Sequence, residues 1–178
     1  MGFEEPSAYD LFPTELALKF SELSDDKKVL INLLFCNSAV DFYAQCNEQY
    51  QANFARDFSY CLFLLGKLSV TVKGYTGLIN VDPNGRIKSC TGQTDKDEQN
   101  IKKTRQINSS LEDAMAIYSN GVIVEHPKKI LSNYSGDVTS VSNSWKIKYL
   151  EEYSKQLNNF ILKHSKVSSE KTNNIKFG

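Results

Sequence analysis

Few side chains in this chain are equipped for chemistry. It holds two histidines, His126 and His164, so acid/base catalysis through imidazole has two places to start. His126 lies in Glu125-His126-Pro127-Lys128-Lys129, just past an apolar Val122-Ile123-Val124 run. An imidazole and two ammonium groups at the end of a strand could bind an anion or move a proton, and a surface-loop histidine is the plainer reading. Arg56-Asp57 pairs a guanidinium with a carboxylate inside an apolar helical pattern. Together Arg56, Asp57, His126, Lys128 and Lys129 are the candidates for an enzyme acting on nucleic acid or nucleotide. His164 is placed on the last turn of the final helix, where a partly protonated imidazole suits the negative end of the helix dipole. Glu112-Asp113 resembles a catalytic carboxylate pair, but neighbouring helix residues point about 100° apart, and an acidic preference at a helix start explains them.

The remaining motifs argue by exclusion. No G-x-G-x-x-G or Walker sequence is present, so dinucleotide and nucleoside-triphosphate sites of the familiar kinds lack support. The cysteines, at 36, 46, 61 and 90, show no metal-ligand spacing, and neither a metal nor a cofactor is expected. They read as buried thiols of a reducing compartment. Lys73-Gly74-Tyr75-Thr76-Gly77 contains the GxxG of KH domains, but that loop joins two helices, and here both flanks alternate like strands, so a β-turn is expected. Helical nucleases of the HEPN type carry an Arg and, four to six residues on, a His. No histidine follows Arg56, so that motif is absent.

The elements that must position these groups begin with Ser38 to Gly66, where Phe42, Cys46, Tyr50, Phe54, Phe58, Leu62 and Leu65 recur at helical spacing. Ser38 with Asp41 fits a capping box and Gly66 a helix stop, which predicts one helix of roughly 40 Å with the fold organised around it. Thr14 is expected to cap a short helix carrying Leu16, Phe20 and Leu23, and Ser24-Asp25-Asp26 to open another carrying Val29, Leu30, Leu33 and Leu34. After Gly66 the period changes to two, predicting strands over 67–73, 78–81 and 86–90, the last two joined by a turn at Asp82-Pro83-Asn84-Gly85. A helix is expected over 101–120, ending at Asn120-Gly121, then an edge strand at 122–125. A last helix from Asn143-Ser144 carries Trp145, Tyr149, Tyr153, Leu157 and Ile161.

These elements imply an α+β domain, predominantly helical and built around one long helix at about 38–66, with a small antiparallel sheet at about 68–90 joined by 122–125. Residues 1–164 form one globular domain and 165–178 a flexible C-terminal tail. The 178 residues carry 21 basic and 21 acidic side chains, so the net charge advertises neither nucleic acid nor an anionic membrane as partner. The distribution is uneven: residues 1–26 hold seven acids against Lys19 alone, while 145–178 hold seven lysines against three acids. Mutual attraction of the two ends or a charged patch for a partner would each explain it. The start is acidic and lacks an apolar stretch of the secretory kind, which predicts a cytoplasmic protein. Nine tyrosines, ten phenylalanines and one tryptophan favour a binding surface. The reading is a non-enzymatic protein-binding factor of the immunity, inhibitor or accessory kind in a microbial or phage system. Lys146, Lys148, Tyr149, Tyr153 and Lys155 would form the contact face, and the nucleic-acid or nucleotide enzyme is the alternative.

Overall fold

The computed structural model describes residues 12–25, 27–35, 38–40, 42–44, 47–81, 84, 87–96, 102–109, 111–128 and 143–173. Its elements are α1 (Pro13–Lys19), β1 (Val29–Asn32), β2 (Phe42–Ala44), β3 (Asn47–Ala52), α2 (Phe54–Leu64), β4 (Val70–Tyr75), β5 (Leu78–Val81), β6 (Ile87–Lys96), β7 (Lys102–Ser109), a 3-10 turn (Leu111–Ala114), β8 (Met115–Ser119), β9 (Val122–Glu125) and α3 (Asn143–Asn173). The class is α+β, with the strands in three sheets.

The helix expected over 38–66 is little more than a third of that length, 11 residues. It begins only at Phe54, because Asn53 is extended (φ −138°, ψ 111°) and its side chain accepts the Arg56 N–H at 3.0 Å. Asp57 reaches back to accept the Asn53 N–H at 3.1 Å, so cap and helix satisfy each other's donors. Upstream of that cap the chain pairs as the β2–β3 hairpin, with Phe42 opposite Ala52 and Tyr43 opposite Gln51. Of the misleading residues, Phe42 lies on β2 and Tyr50 on β3, so the helical spacing between them is divided across a hairpin, and Cys46 lies outside the described residues. Ser38 caps nothing. It is buried, donates from Oγ to the Leu33 carbonyl at 3.2 Å and accepts the Tyr75 N–H at 2.9 Å. At the other end Gly66 does stop the helix, at φ 82°: its N–H reaches the Phe63 carbonyl at 2.8 Å and the Lys67 N–H the Leu62 carbonyl at 2.9 Å, a Schellman motif.

The four-stranded sheet runs β1-β4-β8-β9, with β1 parallel to β4 and the other pairs antiparallel. Residues 29–32 thus form a strand in place of the expected helix. A four-residue apolar run does not declare its period, and pairing with the buried Val70 and Val72 decides it. Of residues 101–120, expected as a helix, 102–109 form β7, 111–114 the 3-10 turn and 115–119 β8, while 101 and 110 lie outside the described residues. Asn120 and Gly121, at φ 53° and 78°, form the two-residue turn from β8 into β9 with Ser119 opposite Val122. The single sheet expected over 68–90 with 122–125 divides in two. β4 and β9 belong to the four-stranded sheet, while β5, β6 and β7 form another. Within the latter the expected pairing of 78–81 with 87–90 is present, from Leu78 opposite Cys90 to Val81 opposite Ile87; Asp82, Pro83 and Gly85 of the turn lie outside the described residues. Gly74 is in β4 rather than in a turn.

Helix α2 is the inner element. Phe54, Ala55, Phe58, Cys61, Leu62 and Leu64 are all buried, as expected of a helix covered on every side. One side lies on β4, β8 and β9, where a Cβ at Gly74 would stand 2.7 Å from that of Ala55. The other meets α1 and α3, with Phe20 edge-on to Phe58 at 5.8 Å. Pro13, not Thr14, opens α1; Thr14 is buried and its hydroxyl meets Gln156 of α3 at 3.4 Å. Phe12 stacks on Tyr149 at 5.2 Å, so α1 and α3 meet through aromatic and polar groups. Helix α3 continues through Asn173, into the stretch expected to be a tail, and residues 174–178 are outside the described ones.

Candidate functional site

The densest polar cluster is built on Asp57, in the first turn of α2. Its carboxylate is 7% exposed and accepts from three sides: Arg56 Nε to Oδ1 at 2.8 Å, the Asn53 N–H to Oδ2 at 3.1 Å and the Tyr153 hydroxyl to Oδ2 at 2.7 Å. The Asn53 side-chain amide in turn donates to the Tyr118 hydroxyl of β8 at 3.1 Å. Residues from the α2 cap, the sheet and α3 therefore meet around one charge. Each element is placed by its own pattern: Asn53 by the cap, Tyr118 by its pairing with Val72, and Tyr153 by the apolar stripe that turns α3 onto α2.

The electrostatics follow from burial. Loss of water, and then the negative charge of Asp57, push the Tyr153 hydroxyl well above the ordinary tyrosine range. The same two causes, in the same order, raise the Cys61 thiol one turn further along α2. Cys61 is a free, fully buried thiol, as expected, while Cys36 and Cys46 lie outside the described residues. Loss of water and then the Lys163 charge hold His164 below its usual value. It packs against Phe160 at 4.4 Å in mid-helix, not on a last turn, so the expected protonated dipole partner is corrected.

The structure brings Arg56 and Asp57 together and joins them to Tyr153 and, through the ring pair at 6.0 Å, to Tyr149. Two sets that the sequence kept separate, one for catalysis and one for binding, thus share a cluster. Tyr153 is 5% exposed and so is corrected as a contact residue: its ring fills the α2–α3 seam. His126 and Lys128 are exposed past the end of β9, and Lys129 lies outside the described residues. On α3, Lys148 and Lys155 are exposed, Lys155 standing 3.6 Å from Glu152; nothing is assigned to the Lys146 side chain. Sequence reasoning missed Asn53 and Tyr118. The signal for Asn53 was an Asn four residues before a helix-embedded Asp; nothing local marked Tyr118.

As chemistry, the cluster is a joint. With Arg56, Asn53 and Tyr153 on its oxygens, Asp57 has its acceptor capacity directed inward, and Tyr153 holds its proton. Among the described residues no group of three or more His, Cys, Asp or Glu side chains could hold a metal ion, and no helix is long and apolar enough to cross a membrane. A second feature lies on the far face of the four-stranded sheet, away from α2. There the register aligns Leu30, Thr71, Ser119 and Val122 across all four strands. Leu30 is 54% exposed, Val122 63% and Val124 59%. No protein-family model, curated protein or solved structure matches the chain.

Proposed function

We propose that the chain is a non-enzymatic protein-binding factor, of the immunity, inhibitor or accessory kind in a microbial or phage system. The observation that carries this reading is the sheet face turned away from α2. Leu30, Val122 and Val124 stand exposed on the outer strands of a sheet whose other face is packed against α2. Leu30 on one edge strand and Val122 with Val124 on the other flank Thr71 and Ser119, so the face mixes apolar and hydroxyl groups as protein interfaces do, and Lys73 with Glu125 in the next cross-strand row supplies charges of both signs. Lys148 and Lys155 on α3, the latter 3.6 Å from Glu152, add charged groups of both signs suited to orienting a charged partner.

The test is capture from an extract of the encoding organism on immobilised protein, wild type beside a Leu30→Asp/Val122→Asp variant, with bound proteins identified by mass spectrometry. A partner retained by the wild type and lost by the variant, with the circular dichroism unchanged, is the expected result. Equal retention by both would remove the sheet face from the function.

A further inference from the structure

The turn between β8 and β9 holds a reactive pair, Asn120-Gly121. With no Cβ on the glycine to hinder it, the Gly121 peptide nitrogen is free to attack the side-chain amide of the residue before it, once the backbone brings the two together. The folded turn keeps them apart. Asn120 is the one residue other than glycine at positive φ among the described residues, at 53°, and Gly121 follows at 78°. In the left-handed region, with ψ about +47°, the Gly121 nitrogen lies on the far side of the Asn120 Cα–C bond from Cβ. Ring closure needs that nitrogen eclipsed with Cβ, about half a turn of ψ away.

Helix α2 and the strands hold the turn in this position. The Gly121 N–H donates to Ser59 Oγ at 3.1 Å, so its hydrogen is directed into α2. A Cβ on Gly121 would stand 2.8 Å from that of Tyr60, and Ser119 stays opposite Val122, so the turn cannot rotate until the hairpin lifts from the helix. Asn120 Oδ1 is buried and, among the described residues, accepts no hydrogen bond, so nothing there polarises the amide carbon toward attack.

We infer that Asn120-Gly121 is a latent succinimide site, kept shut by Ser59 and the α2 surface and opened when the β8–β9 hairpin lifts away. In the opened turn the Gly121 nitrogen bonds to the Asn120 side-chain carbon and gives up its proton. The bond from that carbon to the amide nitrogen breaks, and the nitrogen leaves with the proton as ammonia. Water then opens the ring at either carbonyl, giving aspartate, or isoaspartate with one more methylene in the main chain. Neither product fits the place of asparagine. A carboxylate oxygen would occupy the buried position of Oδ1, where a charge without donors is costly. Isoaspartate lengthens a turn whose two residues set the β8–β9 register. The reaction is a one-way record of opening, and it stands or fails independently of the protein-binding face.

The experiment is peptide mapping by mass spectrometry of the full chain held at mildly alkaline pH, folded in buffer or unfolded in urea. Conversion is scored at Asn120 and at Asn84, an exposed residue in the chain's other Asn-Gly pair. Folded, Asn120 should convert at least about tenfold more slowly than in urea, since reaction then follows the small population of open molecules. Ser59→Ala should raise the folded rate at Asn120 roughly two- to tenfold, the worth of one hydrogen bond, and leave Asn84 unchanged. Gly74→Ala, which loosens the core away from the turn, should raise it less. Asn120→Asp, the acid product without the extra methylene, should have a lower urea midpoint than the wild type. Equal rates at Asn120 in the folded and unfolded chain, an Asn120 that stays intact in urea, or a rise in Ser59→Ala that Asn84 shares or that Gly74→Ala matches would each overturn the inference. A wild-type midpoint in Asn120→Asp would overturn the one-way record.

Discussion

At the scale of single residues, the arrangement around Asp57 depends on every donor being present. A buried carboxylate is tolerated only when its oxygens are paired, and here donors come from Arg56, Asn53 and Tyr153. Tyr153→Phe should cost about 1.5–3 kcal/mol of unfolding free energy, the loss of one hydrogen bond to a charged group. Asp57→Ala should cost about 3 kcal/mol or more, since it strands the Tyr153 hydroxyl and the Asn53 amide together. Urea midpoints of the two variants and of their combination would measure the coupling, and simple additivity would mean that the two side chains do not interact. Alkaline stability follows from the same bond. Tyr153 holds its proton more tightly in the folded chain than in the unfolded one, where tyrosine ionises at about 10. Its contribution is therefore complete below that pH and is lost as pH rises through the folded-state value, because the unfolded chain sheds a proton that the folded chain retains. The fall in the urea midpoint above about pH 10 should be shallower in Tyr153→Phe than in the wild type, and an identical fall would assign it to other tyrosines. The Arg56–Asp57 pair is legible in the sequence as an ion pair, but not as a buried one. Burial is decided by Tyr153, 96 positions away.

At the scale of elements, the fold turns on places where the chain approaches itself too closely for an ordinary side chain. Gly74 of β4 faces Ala55 of α2, and an added Cβ would stand 2.7 Å from that of Ala55 and 3.0 Å from that of Ala39. Both neighbours are buried and neither can rotate away, so Gly74→Ala should destabilise by about 1–3 kcal/mol, as overpacking in a filled core does. Gly121 combines φ 78° with a Cβ position 2.8 Å from Tyr60, and its N–H is held by Ser59 Oγ at 3.1 Å. Gly121→Ala should cost at least about 1 kcal/mol from the left-handed backbone alone. Thermal or urea denaturation checks both, and a midpoint equal to the wild type at either position would mean that α2 sits further from the sheet. What is readable at this scale is punctuation. Gly66 ends its helix, Val70 and Val72 make a buried strand face, and 78–81 pairs with 87–90. Sequence and structure part at Phe42 and Tyr50, whose helical spacing is divided between two strands of a hairpin, and where Asn120-Gly121 reads equally as a helix end. Asn-Gly between apolar runs is also the strongest local hairpin signal, and the pairing of Tyr118 with Val72 on one side and Ile123 on the other decides for the hairpin.

At the scale of the whole molecule, the question is whether the chain acts through a surface or through a site. Arg56 cannot decide it by simple truncation, because its Nε is tied to the buried Asp57 and alanine there strips that carboxylate of a donor as well as removing any chemistry. His126 and Lys128 are the better probes: both are exposed beyond β9, so alanine at either should change stability by less than about 0.5 kcal/mol. A chain that works by binding should keep its biological effect in His126→Ala and Lys128→Ala, and lose it in Leu30→Asp/Val122→Asp, whose aspartates face the partner and not the core. Charge reversal at Lys148 and Lys155 should act differently again, slowing association in low salt with little change once salt screens the field. The enzyme reading makes the opposite assignment. A general acid or base contributes about a hundredfold or more, so His126→Ala would then abolish the effect while the sheet-face variant retained it. Dose–response of the biological effect, measured on the three variants with fold verified by circular dichroism, discriminates the two. A loss beyond about a hundredfold confined to His126→Ala would reassign the function to the edge of β9 and leave the Asp57 joint a structural role alone.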